Sequence, residues 1–207
     1  MPKVSDAYKE KKRADILRHA LACFGEKGFQ SATIDEIALR CGMSKGAIYG
    51  YFASKEEMYI RLMESGTEEM FRMLRDDFAG LPAVHKLRTL IRHYRNQELT
   101  SEWVGAGRVH MEFWIHSARN EDVKRVMVDR YERFVALVEE IVEEGKREGV
   151  FGDVHAREMS ELFWAMADGI FLRITVLDRQ ELYEKLWDDA EEMFLRTLSR
   201  NGDGAAL

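Results

Sequence analysis

Apolar side chains recur every three or four residues along nearly the whole chain, with charged positions between them, and this period predicts helices. The first runs from about Tyr8 to Gly28 and buries Ile16, Leu17, Ala20 and Phe24. Two short helices follow, from Thr33 to Gly42 and from Ser44 to Phe52. A long one from Ser54 to about Phe78 carries Met58, Leu62, Met63, Met70, Phe71 and Leu74. Gly80-Leu81-Pro82 breaks the pattern. Beyond it, Ala83 to about Leu99 presents Leu87, Leu90, Ile91 and Tyr94, and Trp103 to Arg119 is rich in aromatics. Asn120 caps a helix to about Arg147 with Met127, Tyr131, Phe134, Val135, Val138, Ile141 and Val142 as its stripe. The last two, about Ala156 to Leu177 and Arg179 to Arg200, are apolar over wide faces: Leu162, Phe163, Met166, Ile170, Phe171 and Ile174 on one, Leu182, Leu186, Ala190, Met193, Phe194 and Thr197 on the other. Residues 1–7 are expected to be disordered. The expected class is all-α.

The two short helices carry the chemistry. Thr33 and Glu36 form a capping box, Ile34, Ile37 and Ala38 make one apolar face, and Gly42 supplies the positive φ that a sharp helix end needs. Ser44 is the next N-cap, and Met43 before it can staple onto Ile48. That phase points Ile48 and Phe52 inward and leaves Lys45, Gly46 and Tyr49 on the opposite side. A lysine, a bare glycine and a phenol make poor core and good groove-reading surface. Ala47 stands at the third helical position, where the helices starting at Thr33 and Ser54 have Glu, so no carboxylate of this helix repels a phosphate at its tip.

Charge changes the picture by its distribution. The net formal charge of −6 argues against a nucleic acid partner, yet residues 1–60 hold 10 Lys/Arg against 8 Asp/Glu, a net of +2, and the remainder carries −8. A binding face is local, so the asymmetry outweighs the total. The basic run Lys9, Lys11, Lys12 and Arg13 can lie along phosphates. Two prolines favour long helices, and no apolar run reaches the length of a membrane span, so a cytoplasmic protein is expected. Cys23 and Cys41 are read as packed thiols, with a redox switch as the minor alternative. Glu112 and His116, four residues apart, could be half a metal site; an ion pair along the helix is the preferred reading. Gly169 in mid-helix suggests close approach of another helix.

The run ATIDEIALRCGMSKGAIYGYFASKEEMY resembles the N-terminal signature of the TetR family of bacterial repressors, over about 30 residues. Gly50 departs from it, standing where members often have His or another polar side chain. The resemblance implies a three-helix helix-turn-helix domain at 1–53 and a larger helical ligand-binding and dimerisation domain at 54–207. It implies double-stranded DNA as partner, with Thr33, Tyr51, Lys55 and the basic first helix beside the backbone, Lys45, Gly46, Ala47 and Tyr49 facing the bases, and Ser44 as a further DNA-binding residue. It further implies a homodimer through the last two helices, FWAMADGIF resembling that region, and release by an unidentified small-molecule inducer that moves the long helix from Ser54. Tyr94, His110, Phe113, Trp114, Tyr131, Phe163, Met166 and Asp168 are the candidate ligand contacts, each with core packing as the plainer alternative. Asp168 stands out, because a carboxylate on an apolar helix needs a partner.

No nucleophile elbow, phosphate-cradling glycine loop or paired metal motif appears, so no catalytic residues, metal or cofactor are expected. The alternatives to a regulator are a helical enzyme or a partner-binding protein on the same scaffold.

Overall fold

The computed structural model describes residues 6–199. These form α1 (Asp6–Lys27), α2 (Ile34–Arg40), α3 (Lys45–Tyr49), α4 (Lys55–Phe78), α5 (Ala83–Arg95), α6 (Ser101–Ser117), α7 (Glu121–Glu148), α8 (Ala156–Thr175), a 3-10 turn (Gln180–Leu182) and α9 (Tyr183–Leu198). The all-α expectation holds. Of the residues expected to be disordered, 1–5 lie outside the described residues, and Asp6 and Ala7 already belong to α1. Arg200, the expected end of the last helix, also lies outside them.

Helix ends differ from the sequence expectation where backbone geometry intervenes. Alpha-5 stops at Arg95 instead of Leu99, with Asn96 as its C-cap. Alpha-8 stops at Thr175, and Asp178 then takes a positive φ of 52°, so α9 is entered through a 3-10 turn. Pro82 offers α5 no capping side chain; Glu148 accepts from the Ala83 amide at 3.1 Å instead.

The residues gather into two compact units, one made of 6–69 with 101–127, the other of 70–100 with 128–199. The units are discontinuous in sequence, and α4 and α7 each contribute to both. They group residues by proximity and do not follow the division of roles at 53/54 read from the sequence.

The first unit closes around Ile16, Ala20 and Phe24 of α1, Ile37 of α2, Ile48 of α3, Met58 and Tyr59 of α4, and Val109 and Phe113 of α6. Phe29, at the start of the α1–α2 loop, meets Phe24, Tyr59 and Phe113 at ring separations of 5.3, 5.7 and 5.0 Å, two of the three edge-on. In the second unit α5 and α8 both pack on α9. Leu87, Leu90, Val138, Val142, Phe163, Ile174, Phe194 and Leu198 form its interior. Trp164 donates its indole N–H to the Phe134 carbonyl at 2.8 Å, and Ser160 donates to Val135 at 2.6 Å, so α8 is hydrogen-bonded to α7 as well as packed. Gly145 is required by contact: a Cβ there would lie 2.0 Å from Phe151.

Candidate nucleic-acid interface

The turn between α2 and α3 follows from its caps. Thr33 accepts from the Glu36 amide at 3.3 Å while Glu36 accepts from the Thr33 amide at 3.0 Å, the reciprocal box expected. At the other end the Gly42 amide bonds Leu39 O at 3.1 Å and the Met43 amide bonds Ala38 O at 2.9 Å, with Gly42 at φ 62°. These two bonds are a Schellman motif, which closes the helix within one left-handed residue. Ser44 then caps α3 by accepting from Ala47 at 3.2 Å. Met43 and Ile48 share one core cluster, as a staple requires.

The outward face of α3 is as the phase predicts. Ile48 is fully buried and Phe52 nearly so, whereas Lys45, Gly46 and Tyr49 are exposed, Tyr49 by 49%. A Cβ at Gly46 would meet nothing within 4 Å, so the space over it is open. Ala47 and Tyr51 are half-buried. Regular helix ends at Tyr49 rather than Phe52, because the Tyr51 amide tightens onto Ile48 O after Gly50.

Lys55 is engaged differently from the sequence expectation. Its ammonium donates to the carbonyls of Phe29, Gln30 and Ala32 at 2.8, 2.9 and 3.3 Å and lies 4.8 Å above the Phe29 ring. All three protons are thereby used in closing the α1–α2 loop. The same loop is held from α6, where Glu112 accepts from the Phe29 amide at 2.6 Å and His116 meets Gln30 at 3.0 Å. Glu112 and His116 are therefore neither half a metal site nor a mutual ion pair: each has a loop partner, and His116 faces Glu56 at 3.6 Å. Alpha-4 starts with Ser54 accepting from Glu57 at 3.1 Å, but Glu57 reaches the Ala53 amide, one residue before the cap.

The basic side chains of the head are largely paired. Lys27 bonds Glu36, Arg40 bonds Glu26, and Lys45 bonds Asp35 at 2.8 Å. The Lys27 hydrogen bond, with Thr33, holds the Glu36 carboxyl down at about 2. Sequence reasoning missed Asp35, since a ten-residue separation across a turn has no periodic signature. Burial pushes both thiols, Cys23 and Cys41, above the usual range, so their reactive thiolates are disfavoured.

The candidate ligand residues divide between the two units. His110, Phe113 and Trp114 belong to the first: Phe113 is fully buried in its aromatic core, and His110 lies between Trp114 and the Tyr59 hydroxyl, 3.4 Å away. In the second, Phe163 is fully buried between Trp164 and Phe194, and Met166 is half-buried. Tyr94 stacks on Trp187 at 5.5 Å with an 18° tilt, and Tyr183 donates to its carbonyl at 2.6 Å. Tyr131 donates to Glu161 at 3.2 Å. Burial pushes the Asp168 carboxyl up to about 6 despite the opposing charge of Arg130; burial is also the main cause that raises Tyr94 and Tyr131, Tyr131 to about 12, with the charge of Asp168 adding to both.

Comparison with known proteins agrees with this geometry. Residues 16–62 match the bacterial regulatory proteins of the tetR family, and residues 83–198 match the C-terminal domain of BetI-type transcriptional repressors. The chain belongs to the TetR family and is a DNA-binding transcriptional regulator. It is similar to the HTH-type transcriptional regulator YfiR of Bacillus subtilis, 28% identical over 95% of this chain and 96% of that one. A TetR transcription regulator of Haloarcula marismortui has the same fold, with a TM-score of 0.77 and 18% identity over 91% of this chain and 97% of its own. A regulator of Saccharomonospora viridis in complex with choline gives 0.75 and 21% over 93% and 97%. These relatives are regulators and not enzymes. Among the described residues, no helix is long and apolar enough to cross a membrane.

Proposed function

We propose that the protein is a homodimeric, ligand-responsive repressor in the cytoplasm that binds a palindromic operator and releases it when a small molecule binds. The observation that carries the DNA reading is α3 itself: Lys45, Gly46 and Tyr49 outward, Ile48 fully buried beneath them. Alpha-3 enters the major groove, Lys45, Gly46, Ala47 and Tyr49 meet base edges, and Thr33, Ser44, Tyr51 and the basic start of α1 hold the phosphates. Lys55 acts through the loop it ties.

One recognition helix reads few base pairs, so a second copy about 34 Å away, one turn along the duplex or a multiple of it, is needed. A seam on α8 supports that copy. Leu162, Ala165, Gly169, Leu172 and Val176 recur at heptad spacing and are exposed or half-exposed, and a Cβ at Gly169 would meet nothing within 4 Å of this chain. Leu162 and Met193, expected in apolar faces, are 51% and 53% exposed, and Thr197 is exposed too. A second chain covering them gives these positions the burial their own subunit does not.

The ligand reading rests on the remaining residues around Asp168 and on the choline held by the Saccharomonospora viridis relative, which supports a small-molecule effector without naming this one. A hundredfold loss of operator occupancy needs about 2.7 kcal/mol of differential affinity between the two states.

Selection of genomic fragments by the purified protein, followed by footprinting, tests the DNA reading. A protected palindrome, lost in Tyr49→Ala, is expected, with log K falling by about 0.9 per neutralised phosphate against log salt. Uniform, unprotected binding, or binding indifferent to Tyr49→Ala, overturns it. Light scattering of wild type and Gly169→Leu tests the seam, the variant being expected to fall to monomer.

A further inference from the structure

We infer that Asp35 and Lys45 act as one reading unit for a single G·C base pair, the carboxylate accepting from the cytosine amino group while the ammonium donates to guanine. The inference rests on the DNA-binding reading above and assigns a specificity role to a residue outside the recognition helix. Three features of the turn lead to it.

First, the recognition helix has no acidic residue in its first turn, yet a carboxylate stands beside its tip all the same, because Asp35 in the first turn of α2 reaches Lys45 at 2.8 Å. Second, the pair is outward. The two side chains are 51% and 64% exposed, and Gly46 and Tyr49 of the same helix are exposed as well, while Ile48 is fully buried. Asp35 is an exposed acid in the first turn of α2, where the helix end favours a carboxylate, but Thr33 with Glu36 already completes the cap, so Asp35 keeps its oxygens free to reach Lys45.

Third, the spacing matches the base pair. The cytosine amino group and guanine O6 are themselves hydrogen-bonded, so they lie about 3 Å apart, as far as Lys45 and Asp35 do. Placed edge to edge, the ammonium donates to O6, the carboxylate accepts the second amino hydrogen, and the Lys45–Asp35 bond closes a ring of four groups. The side-chain choices agree with the groove: lysine suits guanine O6 and N7, and an acidic side chain suits cytosine N4. An unpaired carboxylate would only repel phosphate. A carboxylate neutralised by the recognition lysine can approach the duplex and demand a donor there.

The test uses the full chain and a pool of random duplexes, with wild type, Asp35→Ala, Asp35→Asn and Lys45→Ala carried through selection and then titrated on the wild-type site and its single-base variants. Wild type should show one G·C position per half-site whose replacement weakens binding at least about tenfold. Asp35→Ala and Lys45→Ala should both lose discrimination at that same position and keep it elsewhere. Asp35→Asn, which retains an acceptor, should retain part of it. If Asp35→Ala binds every sequence more tightly with an unchanged preference, the carboxylate is a counter-charge and the inference is overturned. It is likewise overturned if the two alanine variants relax different positions, or none. A wild type that selects no sequence sinks the DNA reading itself, an outcome distinct from these. Circular dichroism melts of the variants, expected to match wild type at these exposed positions, exclude misfolding as the cause of any loss.

Discussion

Two carboxylates, Glu36 and Asp168, show how differently the two units use charge. Glu36 lies at a helix start on the surface, takes hydrogen bonds from Lys27 and from Thr33, and is held ionised down to about 2. Asp168 lies among apolar side chains of α8, where burial pushes it up to about 6. The first unit spends its polar groups on fixing local geometry: two caps, a Schellman turn, and a loop closed by Lys55 and Glu112. The second keeps one carboxylate in surroundings that disfavour its charge. Rigid display suits a surface that must fit a groove, and a strained titratable group suits a place where something else binds.

Both units nonetheless rest on aromatic cores, and the first break in the comparison should be symmetrical. Phe113→Ala and Phe163→Ala, each removing a fully buried ring, should cost about 3–5 kcal/mol in chemical denaturation. A much smaller loss at Phe163 alone would mark it as a cavity wall and sharpen its candidacy as a ligand contact. Gly145→Ala should come next, at about 1–3 kcal/mol, because the added methyl overlaps Phe151 and confines the damage to the second unit.

Asp168→Asn tests the strained carboxylate. Its folded value lies above the unfolded one, so wild type binds the proton more tightly when folded and loses stability as pH rises from about 4 to about 6. The amide should raise stability at pH 7 by about 1–2 kcal/mol after allowance for solvent screening, and melts at pH 4 should coincide. Equal melts at both pH values would show that Arg130 already compensates the charge.

Thr33→Ala should cost about 1 kcal/mol through the lost cap. The sign for Glu36 is opposite to that for Asp168. Its folded value is depressed, so its contribution is present above about 4.5 and is lost as pH falls toward 2. Thermal melts across that window should lose part of their acid sensitivity in the Thr33→Ala variant, because the Thr33 hydroxyl hydrogen bond that helps hold Glu36 low is gone.

The outward face of α3 was legible because the caps and the phase that set it are close in sequence. Thr33 to Glu36, Gly42, Ser44 and the Ile48/Tyr49 phase are set by backbone amides three or four residues away, and helical periodicity reports such neighbours directly. The bonds of Lys55 and Glu112 were not legible, for the converse reason. Their partners are backbone groups of the 28–32 loop, 23 or more residues distant, and no spacing along the chain announces them. The apolar stripe of α8 and α9 was visible as a pattern, but which members it buries was not: Leu162 and Phe163 are adjacent in sequence, one exposed and one fully enclosed.

The sequence by itself determined the helical class, the family, and the inward sense of Ile37, Ala38 and Ile48 with the outward sense of Lys45, Gly46 and Tyr49, since local hydrogen bonds and a 3.6-residue period suffice for these. Only the tertiary structure decided that Lys55 closes a loop, that Asp35 meets Lys45, and that burial raises the Asp168 carboxyl. Long-range contacts are selected by the packing of whole helices, and a side chain's charge state and partners follow from that packing.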